Sequence, residues 1–218
     1  MPAVLFGSLS TLADTSELQR DAYNRAFARH GLDWSWSQEE YARLLQSSGG
    51  RRRVAEEADR TGVQVDAEAV HHTKSALFQE SLRSTPLTPR PGVLETVEAA
   101  RRAGVRVGLV TTTAPENVEA LLTGLEPHLD RAVFDVVVDS SSVDDPKPDP
   151  AAYRYALSVL GEDAGSCVAI EDNLGGVGSA TSAGIECIAF PNTNTAGHDF
   201  PADRTDRLDA DALVGRVA

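Results

Sequence analysis

The sequence predicts an α/β protein, a parallel sheet with helices on both faces and an all-helical block inserted after its first strand. Three observations carry this. An apolar run, Ala3–Phe6, sits at the start of the chain and reads as a buried central strand. Residues 15–86 then read as helix throughout, with short connectors, and end in the Pro-rich segment Thr85–Gly92, a hinge signal. From residue 93 onward, apolar strand-like runs alternate with helical patterns, the signature of right-handed parallel crossovers.

In order along the chain, Glu17–His30 places Leu18, Ala22, Ala26 and Phe27 on one helical face, with Gly31 as the stop signal. Ser37 is the expected N-cap of a helix through about Gln46, with Glu39 and Glu40 in its first turn. Gly49-Gly50 breaks that helix, and 51–60 and 66–82 read as further helices. Beyond the hinge the expected order is helix 93–103, strand 105–110, helix 116–125, strand 134–138, helix 150–160, strand 167–170, helix 174–183, strand 186–190 and a final helix over 209–217. The core is therefore discontinuous, 1–14 with 87–218, and 15–86 form the cap.

With 218 residues and 41% hydrophobic content, the chain can bury one sizeable core plus a smaller subdomain. A formal net charge of −13 sets aside nucleic acid and anionic membranes as general partners. An anionic ligand then requires a local reversal of sign. Cys167 and Cys187 lie inside apolar runs and read as buried reduced thiols, which with the lack of a membrane-length apolar run or signal peptide places the expectation in the cytoplasm. Oligomeric state is not legible.

In an open parallel sheet, ligands bind beyond the carboxyl ends of the strands. The loops leaving those ends carry Gly7–Thr11, then Thr111-Thr112-Thr113, then Asp145-Pro146-Lys147-Pro148-Asp149, then Glu171-Asp172-Asn173. Singly, each has a bland reading: a threonine caps a turn, a lysine between prolines is solvated, an acidic pair caps the next helix. Together, each at a strand end, they offer hydroxyl donors, a cation and carboxylates around one small space, which is what a phosphoryl group requires. The basic triplet Arg51-Arg52-Arg53 after Gly49-Gly50 reads either as a solvated run or as a phosphate clamp. His71-His72 reads as surface rather than a metal pair, because adjacent helical residues do not share a face. Trp34 and Trp36 read as cap packing, and the polar segment Asn192–His198 as a mobile rim loop.

These motifs, with Glu17-Leu18-Gln19-Arg20, the segment Gly31–Tyr41 and Thr111–Glu119, make the chain resemble haloacid-dehalogenase-type phosphatases with a helical cap, and within them the CbbY-like sugar-phosphate phosphatases. The resemblance covers nearly the whole chain. It implies a Rossmannoid core, Mg²⁺ as cofactor, and a small phosphorylated sugar (xylulose bisphosphate for characterised members) or inorganic phosphate as ligand. It implies that Thr111, with Thr112 beside it, binds the phosphoryl group, that Lys147 neutralises it, and that Asp172 ligates metal with Glu171 in support. On the cap, Glu17, Gly50, Arg51 and Arg53 match substrate positions.

The first motif departs from the family. Gly7 stands where the attacking aspartate belongs and Leu9 where the proton-shuttling aspartate belongs, and Ser10 takes a glycine's place. Glycine has nothing to attack with and leucine no proton to move, so phosphoaspartate chemistry is not available. Metal affinity is expected to fall with the lost carboxylate. Asp14 lies beyond the motif, near the cap hinge, and Ser8 and Ser10 lack a nearby general base, so all three are poor substitutes. Three readings stay open: an impaired homologue that binds sugar phosphate, a hydrolase using water directly, and an interaction protein with a vestigial pocket.

Overall fold

The structure, a computed structural model, describes residues 1–126 and 128–217. Strand β1 (Ala3–Phe6) is buried along its whole length. Burial of Val4, Leu5 and Phe6 contributes about 1.5–3 kcal/mol each before entropy is counted. The chain turns through one short helical turn, α1 (Leu9–Leu12), before entering the helical block: α2 (Ser16–Arg29), α3 (Gln38–Leu44), α4 (Gly50–Thr61) and α5 (Ala67–Ser84). The second half runs α6 (Val93–Arg102), β2 (Arg106–Val110), α7 (Pro115–Leu125), β3 (Val136–Val138), α8 (Ala151–Leu160), β4 (Cys167–Glu171), α9 (Leu174–Ser182), β5 (Glu186–Ala189), β6 (Asp203–Arg204) and α10 (Ala210–Val217).

The sheet has six strands in the order β3-β2-β1-β4-β5-β6, and every adjacent pair is parallel. β1 is central, pairing with β2 on one side and β4 on the other, so its carboxyl end lies between the loops that follow Val110 and Glu171. The apolar residues fall into two clusters. The larger joins the cap helices to the core and the smaller holds Val138, Tyr153, Ile185 and both cysteines. Cys167 and Cys187 are free and buried. No described helix is long and apolar enough to cross a membrane.

Ser37 caps α3 as its sequence predicts, with Glu40 closing a capping box back onto the Ser37 amide. Trp36 is buried and packs against Tyr23 at 4.9 Å and Phe27 at 4.7 Å between ring centroids, which knits α2 to the segment before α3. Two expectations need correction. The 7–11 segment is not a simple loop, because Ser8 caps a helical turn by accepting from the Ser10 amide at 3.1 Å while Thr11 bonds back to the Ser8 carbonyl. Asn192–His198 is not a mobile rim, since Asn192, Asn194 and Thr195 are buried and spend their polar groups on the site.

Candidate active site at the sheet's carboxyl edge

The loops singled out in the sequence meet at the carboxyl ends of β1, β2 and β4. Lys147, buried at the entry to α8, reaches across them. Its ammonium donates to the Gly7 carbonyl, to the Val110 carbonyl at 2.5 Å and to Glu171 Oε1 at 2.5 Å. A lysine ammonium has three N–H donors, and all three are committed within the protein. The ammonium also lies 4.6 Å from the centroid of the Tyr153 ring.

Glu171, the last residue of β4, is fully buried. Its Oε1 also accepts from the Tyr153 hydroxyl at 2.8 Å, while Oε2 finds no hydrogen-bond donor among the described residues. Burial pushes its carboxyl above the usual range and the Lys147 charge pulls it back. The Tyr153 phenol is pushed well up, by burial first and then by the Glu171 charge.

The carboxyl stands where a side chain at position 7 would be. A Cβ on Gly7 would fall well inside 3.0 Å of Glu171 Cδ and Oε1, and 2.5 Å from the Tyr153 hydroxyl. Gly176, in the first turn of α9, is equally constrained, for a Cβ there would meet the same carboxyl well inside 3.0 Å. Leu9, at the other lost aspartate position, is buried in the apolar cluster.

Asp172 is also enclosed. Its Oδ1 accepts from the Ser8 hydroxyl at 2.6 Å and the Asn173 amide at 2.8 Å, and its Oδ2 accepts from the Asn192 amide at 2.6 Å. The Thr195 hydroxyl donates to its backbone carbonyl at 2.6 Å. Thr111 is buried, donates its amide to the Val138 carbonyl at 2.9 Å and accepts from the Thr113 amide at 3.3 Å. Thr112 is half-buried beside it.

Mg²⁺, which the resemblance implies, requires oxygens, usually from one or two carboxylates plus phosphate and water. Here the Asp172 carboxylate is held by three neutral donors, Glu171 is turned onto Lys147, and position 7 offers no oxygen from a side chain. Among the described residues no cluster of three His, Cys, Asp or Glu could hold a metal. This arrangement does not fit Mg²⁺.

The cap lies against the core. Asn194 donates to Glu17 Oε1 at 2.6 Å, and the His198 ring donates to the Ala42 carbonyl at 2.8 Å. Gln79 of α5 donates to Asn117 of α7 at 3.0 Å, and Ser48 approaches Gly175 so closely that a Cβ there would collide with it. Glu17 is held below the usual carboxylate range, chiefly by the hydrogen bond from Arg20.

The proposed clamp residues behave differently from one another. Arg51 is exposed and lies 3.6 Å from Glu68. Arg53 is buried, and donates to the Leu44 carbonyl at 2.9 Å and the Ser47 carbonyl at 2.6 Å. It ties α4 to the end of α3. Gly50 opens α4 with room for no side chain, because a Cβ would sit 2.6 Å from the Tyr23 hydroxyl and against His71. Of the histidine pair, His72 is exposed and His71 half-buried, and burial first, then Lys74 and Arg53, depress the His71 pKa to about 4.

Sequence reasoning missed Tyr153 and Lys74, and did not foresee that Ser8, Asn192 and Thr195 bond to Asp172. Lys74 of α5 is buried with its ammonium 3.2 Å from Gln19 Oε1 and over the rings of Tyr23 and Phe78. The signal for Asn192 and Thr195 was present, since their segment follows β5 and therefore leaves the same edge of the sheet. Tyr153 gave none beyond its place on the buried face of α8.

This architecture, a parallel core with loops converging beyond β1, β2 and β4 under a helical cap, defines a Rossmannoid α/β fold with an inserted helical cap. The profile of haloacid dehalogenase-like hydrolases matches residues 1–184, and the chain belongs to that family. Within it the chain is closely related to the CbbY proteins. It is 37% identical to protein CbbY of Cereibacter sphaeroides over 222 aligned positions, covering 99% of this chain and 95% of that one. A crystal structure of CbbY from Rhodobacter sphaeroides in complex with phosphate superposes with a TM-score of 0.85 at 37% identity, covering 95% of each chain. A point mutant of the same protein in complex with xylulose-(1,5)bisphosphate superposes with a TM-score of 0.85 at 36% identity, again covering 95% of each.

Proposed function

We propose that this member of the CbbY-related hydrolases binds a small phosphorylated sugar, or inorganic phosphate, between cap and core, and that it forms no phosphoaspartate. One observation carries the reading: the volume belonging to a side chain at position 7 is filled by the Glu171 carboxyl, while Leu9 leaves no proton shuttle. Binding is supported by the relatives in complex with phosphate and with xylulose-(1,5)bisphosphate, and by Thr111 and Thr112 directly following Val110, whose carbonyl Lys147 holds. On this reading Thr111 and Thr112 hold phosphoryl oxygens. Glu17 and Arg51 contact the sugar from the cap, with Gly50 giving the backbone room to approach it. Lys147 gives up one of its backbone carbonyl partners to reach the ligand while keeping Glu171. Arg53 supports the cap loop rather than touching ligand.

The comparisons favour a second reading, that hydrolysis persists, since the matching family and relatives are hydrolases. It requires water to attack phosphorus directly, its proton accepted by Asp172 or Glu171, while the P–O bond to the sugar breaks and the departing sugar oxygen takes a proton from solvent. Thermal shift with inorganic phosphate and a panel of pentose and hexose phosphates, run beside phosphate-release assays with and without Mg²⁺, tests both. The first reading expects a shift of roughly 5–11 °C at about 100 times Kd with release at the buffer rate. Release above background that co-purifies with the protein supports the second. Neither shift nor release leaves a vestigial pocket and ends both.

A further inference from the structure

The loss of a carboxylate at position 7 would leave Lys147 buried among strand ends without a counter-charge, a costly state. The protein does not show that state. Glu171 extends from β4 into the vacated volume and meets Lys147 there, with Tyr153 donating to the same oxygen. Its carboxyl fits because two neighbours lack side chains, Gly7 on one side and Gly176 on the other.

We infer that Glu171 is a positioning residue which replaces the missing aspartate as the charge partner of Lys147, and that Gly7 is the residue that admits it. The negative charge has moved from one strand end to the next while the lysine has kept its place between Gly7 and Val110. Gly7 is then not an erosion that reverts freely. An aspartate restored there collides with Glu171, and two acids compete for one ammonium. This inference goes beyond the proposed function and does not depend on which ligand the pocket takes.

The test transposes the carboxylate. Gly7→Asp, Glu171→Ala and the double variant are compared with the wild-type protein by thermal melting and by the ¹H–¹⁵N signal of the Lys147 side-chain ammonium. Each single variant is expected to lower Tm by roughly 6–20 °C. Glu171→Ala is expected to lose the slowly exchanging ammonium signal. The double variant is expected to melt above either single variant and to recover the signal, because the carboxyl returns to Lys147 from position 7. A double variant whose Tm loss is the sum of the two single losses, or whose ammonium signal stays absent, overturns the inference. If Glu171→Ala does not fold, Glu171→Gln decides the matter. It keeps the shape and removes the charge, so a lowered Tm is expected, and an unchanged Tm with an unchanged ammonium signal overturns the inference.

Discussion

Glu171 and Gly7, the last residue of one central strand and the first beyond its neighbour, compete for a single volume, and the carboxyl of Glu171 occupies it. The pocket therefore holds an acid beside Gly7. That acid is bound to Lys147 and Tyr153, not free to attack.

Gly176 supplies a sign test. In the first turn of a helix, exchange of glycine for alanine ordinarily stabilises by roughly 0.5–1 kcal/mol. Here the new methyl meets the Glu171 carboxyl, so Gly176→Ala is expected to lower Tm. In a Glu171→Ala background the same exchange is expected to raise it. Melting curves of the two pairs read both signs.

Covalent chemistry is the second expectation. With Gly7 and Leu9 in the first motif, protein mixed with sugar phosphate and quenched in acid is expected to show no phosphorylated species by intact mass. A phosphorylated protein under these conditions would contradict the loss of the nucleophile.

Stability should follow pH through α5. Lys74 has its pKa lowered to about 7, by burial first and then by Arg53, from an ordinary 10.5. The unfolded chain therefore binds the extra proton across that window, and stability rises as pH goes from about 7 to about 10.5. His71, depressed from 6.5 to about 4, acts in the same direction lower down: its contribution is complete above 6.5 and is lost as pH falls toward 4. Tm against pH should flatten in the upper window for Lys74→Met and in the lower one for His71→Gln.

Arg90 links the hinge to the site. It donates to the Ser10 carbonyl at 3.0 Å, the Phe190 carbonyl at 2.8 Å and the Pro191 carbonyl at 2.5 Å, and lies over the Phe190 ring. Arg90→Met strands those acceptors, at about 1–3 kcal/mol for an unsatisfied buried group. A Tm loss of roughly 2–12 °C is expected, with hydrogen exchange rising first at residues 8–12 and 190–195.

The helices and strands were legible because their apolar spacing is imposed by the faces they bury. Ala3–Phe6 could only be a buried strand, and the Ser37 capping box announces α3. The convergence of Thr111, Lys147 and Asp172 was legible from their places at strand ends. The direction of Glu171 was not, because it depends on a volume opened by Gly7 in another segment, and no local pattern encodes that. The surroundings of Arg53 and His71 were not legible for a related reason. A basic or imidazole side chain reads as exposed until the carbonyls of Leu44 and Ser47, or the close approach of Gly50, are seen around it.

The most direct measurement is an atomic-resolution crystal structure of the wild-type protein grown with inorganic phosphate. The Glu171 carboxyl is expected between Gly7 and Gly176, with Oε1 within hydrogen-bonding distance of both Lys147 Nζ and the Tyr153 hydroxyl. A Glu171 turned out of that volume, with Lys147 bound to phosphate or water in its place, would contradict it.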